Sequence, residues 1–511
     1  MPAVLTEGST KRRAPPTERR IFDVIVAGAG PGGTSAATFL ARRGVSVLLL
    51  DRAGFPRDKV CGDGLTPQAI YWLDRLGCAG EVLAETKACI KECDLYMDGR
   101  RLLTGGFAKD TPYPDFAILL DRRRFDHILL RNAIDVGAHF EGGRTVRQVE
   151  HGHDAARVVA DADGRRVEYR ARIVIGADGV SSAVSRHLGN TLKDGVMAVS
   201  LRTYYEGVEP DGSQIKVYFD RGFFPGYGWL FVDDAGFANV GLGYAYDKSF
   251  PLVANLRETF LAFIERDLGD MLRNSNQCGR ISGGAAAFYR PNAIVGDRVM
   301  LVGDAANQAD PLNGGGIHKA MEGASLAAEA AFHALSVGDF SERTLGLYEH
   351  LWQENFETDW RTAEFFLAVA KNPALREFCL FLLTQIGCLT TEDRRFQEFA
   401  SGVFSGTVAQ SACLSPLALY KAFPKSPETW LALVQGDKGV AAGSAWLVGN
   451  AVGSLARAAS RMAREPLRNL DWGLEVAVKA VQLAERGVEG PTRGSARDRD
   501  VPEWTPANGK A

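Results

Sequence analysis

The stretch IFDVIVAGAGPGGTSAATFLARRGVSVLLLDR, residues 21–52, constrains this chain more than any other. Phe22 to Ala27 is a short apolar run rich in β-branched residues, the pattern of a buried strand. Gly28, Gly30 and Gly33 follow at G-x-G-x-x-G spacing, with Pro31 and Gly32 inside the turn. Thr34 to Arg43 reads as a helix, Gly44 ends it, and Val45 to Leu50 reads as a second buried strand. Asp51 closes that strand 18 residues after Gly33, with Arg52 beside it. A lone glycine triplet would be an ordinary turn. Strand, turn, helix, strand and acid together form a dinucleotide fingerprint. Gly28 permits the tight turn, Gly30 lets the backbone approach a pyrophosphate, and Gly33 lets helix and strand pack closely. The pyrophosphate rests on the helix N-terminus, where free N–H groups and the macrodipole favour an anion. Asp51 can accept hydrogen bonds from ribose hydroxyls.

With 511 residues the chain is too long for one compact core, so two or three subdomains are expected. Its 46% hydrophobic and 24% charged residues are ordinary for a soluble globular protein, and a net charge of −3 gives no pull toward nucleic acid. The eight cysteines are dispersed. Cys89 and Cys93 stand four apart, but no second pair or nearby histidine completes a metal site, so reduced thiols facing a cytoplasm are expected. Residues 1–20 are polar and basic without the apolar centre of a signal peptide, and residues 486–511 are rich in glycine, proline and charge; both read as disordered tails. No apolar run reaches 18 residues, so no transmembrane helix is expected.

Further along, Arg57 to Pro67 reads RDKVCGDGLTP. Gly62 and Gly64 around Asp63 suggest a tight backbone able to approach a flat ligand. Cys61 has Lys59 nearby, a setting that suits a reactive thiol as well as a small packed hydrophobe. Asp121 to Ala133 reads as a helix carrying Arg122. Tyr169 to Ile175 is another apolar strand, feeding Gly176-Ala177-Asp178-Gly179. That places backbone N–H groups and the Asp178 carboxylate at a strand's C-terminal edge, where open α/β sheets bind ligands. Residues 195–246 alternate as at least four antiparallel strands, and Phe223 to Trp229 concentrates aromatic rings, Tyr227 among them, over glycine turns. These rings suit an apolar substrate pocket or an ordinary core. Val299 to Val302 is a further strand, followed by Gly303-Asp304-Ala305-Ala306 and by NQADPLNGGGI, which contains Pro311 and the run Gly314, Gly315, Gly316 and Ile317. Asp304 can bind ribityl hydroxyls, and the helix opened by the glycines can face a developing anion on a flavin ring. Residues 341–480 are mostly helical by pattern. Within 446–470, Val448, Val452, Leu455, Ala459 and Met462 share one helical face opposite Arg457, Arg461, Arg464 and Arg468. This pattern suits a docked helix or one lying on an anionic membrane surface.

The fingerprint, the GADG and the GDAA with its glycine-started helix together resemble the FAD-binding fold of the glutathione-reductase type, in the branch of the aromatic hydroxylases. KVCGDGL and PGYGWLF…NVGLG (Pro225 to Phe231, Asn239 to Gly243) resemble the geranylgeranyl reductase family, to which flavin-dependent halogenases are related. The resemblance spans roughly residues 21–410. It implies an α/β protein with a Rossmann-like FAD domain (21–85, 119–192 and 280–340), an inserted antiparallel β-sheet substrate domain (86–118 and 193–279) and a helical C-terminal region (341–485). By the same resemblance Gly28, Gly30, Pro31, Gly32, Gly33, Asp51, Arg52, Arg122, Asp178, Gly303, Asp304 and Pro311 contact FAD, and Gly314 to Ile317 sit against the isoalloxazine. Cys61 and Gly62 approach the ring from the substrate side, and Tyr227 and Trp229 wall the pocket. Val232 stands where typical members have proline. The implied activity is C=C reduction in an isoprenoid or similar hydrophobic substrate by hydride from FADH2, with NAD(P)H or a redox protein as transient donor. The alternative is oxygen chemistry at the flavin, hydroxylating, epoxidising or halogenating a hydrophobic metabolite. Gly226 to Val232 lacks the Trp-x-Trp-x-Ile-Pro motif of the halogenases.

Overall fold

The computed structural model describes residues 20–414 and 453–488, apart from 87–88, 110, 153, 192–194, 210–211, 252–254 and 393. Ile21–Ala27 lies inside the first sheet, in parallel between Val47–Leu50 and Arg165–Gly176. Val24 to Ala27 and Leu48 to Leu50 are fully buried, and burying each large aliphatic side chain contributes about 1.5–3 kcal/mol. His139–Glu141 extends the sheet beyond Val47–Leu50, and Val299–Leu301 joins Arg165–Gly176 in parallel. Register sets where these strands stop. Ala27 pairs with both Leu50 and Gly176, and Gly176 pairs with Leu301. Four strands therefore end in one row, and the chain leaves them at Gly28, Asp51, Ala177 and Val302. The expected motifs meet because their strands stop together. The helices Ile317–Val337 and Arg122–Asp135 both pack on Pro31–Ala41.

The second sheet has eight strands, the four expected over 195–246 joined by Glu92–Met97 and Arg100–Gly106 from the earlier segment and by Asn276–Gln277 and Ser282–Ala287. Met197–Glu206, Ala238–Tyr246, Tyr227–Val232 and Ile215–Phe219 pair antiparallel, but Ile215–Phe219 meets Glu92–Met97 in parallel. The sheet is thus mixed rather than purely antiparallel. Ser282–Ala287 pairs with the free edge of Met197–Glu206, so the sheet continues past the expected boundary at 279. Its sequence, SGGAAA, carries no strand propensity of its own; the partner strand makes it extended. The helix Leu256–Leu272 buries Phe260 and Phe263 against the far face.

The described part of the C-terminal region is helical, with Leu347–Ala370, Arg376–Glu392, Arg394–Ser405 and Pro466–Val488; residues 415–452 of the expected helical region lie outside the described residues. The single amphipathic helix anticipated over 446–470 is not found. Residues 453–462 are helical, a turn follows, and Pro466 opens a new helix, as proline favours a first helical turn. Leu455, expected on the packed face, is 45% exposed, while Ser454 and Ala458 are buried. Arg457 and Arg461 both pair with Glu377, at 3.0 and 2.8 Å. Val448 and Val452 lie outside the described residues, as do residues 1–19 of the expected basic tail. Pro466–Val488 runs past the anticipated tail start at 486 and packs along Leu347–Ala370. Lys371, almost wholly buried, ties Glu475 of that helix (2.6 Å) to Asp247 beside the second sheet.

Candidate functional site

The fingerprint turn is shaped by contact. Gly28 has φ +101°, and a Cβ there would overlap the Ala177 carbonyl; a Cβ at Gly33 would overlap the Gly28 carbonyl. Gly30 is different: a Cβ there would clash with nothing and would touch Arg57 Nη2 at 3.6 Å, an ordinary contact distance. Helix Pro31–Ala41 starts there with no side-chain cap. Its first N–H groups therefore stay available to an anion.

Asp51 closes the turn from the next strand. Its Oδ2 accepts from the Ala29 N–H and its Oδ1 from the Ala53 N–H, both at 2.8 Å. These bonds hold the carboxylate at the strand end, and an ionised carboxyl keeps further lone pairs for ribose hydroxyls. Arg52 beside it is exposed and lines the same groove. Arg57 was not singled out from the sequence. It lies 3.8 Å from Asp51, bonds Asp126 at 3.0 Å and covers the Phe55 ring. Arg122 is buried with its fork on the same Asp126, Nε to Oδ1 at 2.8 Å and Nη2 to Oδ2 at 2.7 Å. Burial lowers the affinity of that guanidinium for its proton; Asp126 and then Cys61, which lies against it, raise it above the ordinary value.

From the other strand ends come Asp178 and Asp304. Asp178 lines the groove while capping the helix Ala183–His187, bonding Ser182 Oγ and the Ala183 N–H (2.7 Å). Burial raises its carboxyl pKa. Asp304 Oδ2 meets Lys59 Nζ at 3.1 Å, so the 57–64 loop reaches across the groove to the GDAA turn. Gly303, Pro311, Gly314, Gly316 and Ile317 line the groove. Gly315 does not: its missing side chain faces Asn313 and His318.

Beyond the glycine run the groove opens into a cavity of about 870 Å³ that includes both regions. Cys61, Gly62, Tyr227 and Trp229, which the family resemblance brought together, all line it. Tyr227 donates to the Asn313 carbonyl at 2.7 Å, tying the aromatic strand to the NGGGI turn. Burial above all, then the neighbouring Cys61 and Asp310, pushes its phenol pKa up, so it stays neutral. The Trp229 indole lies flat where a Cβ on Gly241 would be, and donates to Asn239 Oδ1 at 2.9 Å. A carbon added to Gly62 would stand 3.0 Å from the Phe231 ring. The sheet face beyond the aromatics is built from small residues. Tyr227 pairs with Gly243, which continues through Ser200 to Gly284; the next row is Ala245, Ala198 and Ala286. All line the cavity, and Phe288 and Leu367 close its end. Sequence reading missed this floor because no strand signal marked Ser282–Ala287.

The groove therefore offers what an FAD needs: an uncapped helix start, a Gly30 that leaves room at the turn, carboxylates at three strand ends and a glycine run beside a ring-sized space. A model of the FAD-binding domain matches residues 22–208. A menaquinone reductase of Mycobacterium tuberculosis is 35% identical over 324 residues, 60% of this chain and 76% of the relative. A digeranylgeranylglycerophospholipid reductase of Methanopyrus kandleri is 32% identical over 351 residues, 67% and 85% of the two chains. The crystal structure of a geranylgeranyl bacteriochlorophyll reductase-like protein from Thermoplasma acidophilum has the same fold, with a TM-score of 0.59 and 24% identity over 81% of this chain and 99% of that one. Motifs, fold and relatives agree: the chain belongs to the geranylgeranyl reductase family of FAD-dependent oxidoreductases.

Proposed function

We propose that this protein reduces C=C bonds of an isoprenoid chain, carried by a lipid or a quinone. The observation that carries this reading is the cavity floor. Two adjacent rows, Gly243, Ser200 and Gly284 and then Ala245, Ala198 and Ala286, lie beside Tyr227, Trp229 and Phe231 and give the cavity a floor of small side chains, a lane on which the Ser200 hydroxyl is the one polar side-chain group. The named relatives, which are reductases of menaquinone and of a digeranylgeranyl lipid, support the same substrate class.

Bound FAD, once reduced, supplies the hydride. Gly28 to Gly33 and Arg57 would hold its pyrophosphate, Asp51 its ribose, Asp304 its ribityl chain, and Gly314, Gly316 and Ile317 its ring. Tyr227 and Trp229 align the alkene and exclude water, and Cys61 with Gly62 closes the chamber from the loop side. NAD(P)H or a small redox protein reloads the cofactor. Peripheral contact with a lipid surface on the cytoplasmic side belongs to the proposal. The helix Pro466–Val488 serves it better than 446–470, because Leu467, Leu470, Leu474, Val478 and Val481 make one exposed apolar stripe 54–77% open to solvent. Among the described residues no helix is long and apolar enough to cross a membrane.

The test is anaerobic incubation of chemically reduced holoenzyme with geranylgeranyl lipids and prenylated quinones, read by mass spectrometry. The proposal expects products gaining two hydrogens per turnover, with matching flavin reoxidation. Absence of both, or oxygenated products on admitting air, overturns it.

A further inference from the structure

The loop that carries Cys61 is gripped on both flanks by the substrate sheet. Three residues before it, Asp58 accepts from Arg202 Nη2 at 2.6 Å. Two residues after it, Asp63 Oδ2 accepts from Tyr204 Oη and from Asn239 Nδ2, each at 2.8 Å. The same Asn239 amide donates to the Cys61 carbonyl at 2.7 Å, and its own oxygen holds the Trp229 indole. One asparagine thus joins the loop, the acid and the pocket wall. Arg202 stacks 4.1 Å over the Tyr204 ring. From the other side Arg122 lies against Cys61.

Asp63 is an unusual residue to find here. It is 4% exposed and sits in the left-handed region at φ +63°. Among the described residues no arginine or lysine forms an ion pair with it, and its Oδ1 has no hydrogen-bond partner. A buried carboxylate with half its acceptors unused is costly to keep. It does not line the cavity, so it does not touch substrate.

We propose that Asp63 is a positioning residue whose carboxylate, through Tyr204 and Asn239, holds the Cys61–Gly62 turn against Trp229 and Phe231, so that its ionisation sets the geometry of the reaction chamber. The proposal rests on reading that cavity as the chamber. The groups facing Asp63 are Tyr204 and Arg202 from Met197–Glu206, Asn239 from Ala238–Tyr246, Arg122 from its helix, and Asp58 and Cys61 from its own loop. Burial raises the Asp63 carboxyl to about 6, opposed by the Tyr204 and Asn239 hydrogen bonds and then by Arg122 and Arg202. Burial, then Asp63 itself, raises the Tyr204 phenol, which therefore remains a donor. Above pH 6 the carboxylate draws in both donors; below it, a neutral acid accepts more weakly and the turn loosens.

The experiment compares wild-type holoenzyme with Asp63→Asn and with Tyr204→Phe, which keeps the carboxylate and the ring. One arm follows iodoacetamide alkylation of Cys61 by peptide mass spectrometry at pH 7.5. The other follows the pH dependence of prenyl-lipid reduction from pH 5 to 8. The expected result is several-fold faster Cys61 alkylation in both variants and an inflection near pH 6 that Asp63→Asn lacks. A purely structural role would lower activity equally at every pH. Wild-type alkylation rates in both folded variants overturn the proposal, as does an inflection that survives Asp63→Asn. If wild-type holoenzyme reduces no prenyl substrate, the functional reading fails while the alkylation arm still decides the positioning role.

Discussion

Asp51→Asn is the sharpest perturbation of the nucleotide site, because the structure leaves the amide no good orientation. Both carboxylate oxygens accept a backbone N–H, Ala29 on Oδ2 and Ala53 on Oδ1. Whichever way the amide turns, its NH2 faces one of those donors, in a side chain only 6% exposed. One buried N–H is then unpaired, a cost of about 1–3 kcal/mol to the folded apoprotein. The cofactor loses more. Hydrogen bonds to a charged acceptor contribute about 1.5–3 kcal/mol against about 0.5–1.5 for neutral ones, so weakening the ribose contacts should cost about 2–3 kcal/mol of binding. That is a rise in the FAD Kd of roughly 30- to 150-fold. Apoprotein titrated with FAD, followed by flavin fluorescence or calorimetry, measures it directly, with thermal unfolding of the apoprotein as the parallel reading. A folded variant that binds FAD within twofold of wild type would refute the assignment of Asp51 to the ribose.

Trp229→Phe removes the 2.9 Å bond to Asn239 and leaves its buried oxygen unpaired; stability should fall by about 1–3 kcal/mol in denaturant titration, with FAD affinity unchanged. Ala286→Phe places a ring in the small-residue lane, so KM should rise at least about tenfold, or 1.4 kcal/mol, for long prenyl chains and much less for short ones; equal effects on both would count against the lane. Asp63 should also mark the pH dependence of stability. Its folded pKa lies above its unfolded value of 3.8, so its stabilising contribution is complete below that value and is lost as pH rises through about 6. Two units correspond to about 3 kcal/mol, and Asp63→Asn should flatten this part of the unfolding profile between pH 4 and 7. A Leu470→Glu, Leu474→Glu double variant should lose co-flotation with anionic vesicles while melting within a few degrees of wild type; retained flotation would remove Pro466–Val488 from the proposed lipid contact.

Much of the nucleotide half was readable in advance, for a physical reason. Its strands are buried on both faces and its glycines are required by direct backbone contact, as at Gly28 and Gly33, so local residue type carries the information. The aromatic strand Tyr227–Val232 announced itself through ring density. Arg57 and Asp126 escaped notice because their partnership spans 69 residues of chain and no local pattern encodes it. The helix anticipated over 446–470 failed at Pro466, where periodicity had been extended across a break.

From sequence alone came the dinucleotide corner, the glycine run whose Gly314 and Gly316 line the groove, and the family to which the chain belongs. Those features are set by short-range sterics and by strand and helix termini, which local sequence specifies. The lane of Gly, Ala and Ser, the grip of Tyr204 and Asn239 on the Cys61 loop, and the apolar stripe left open on Pro466–Val488 were decided only by tertiary structure. Strand register and helix docking bring together residues distant in the chain, and which small or polar side chains then share a face depends on the partner strand, not on the residues themselves.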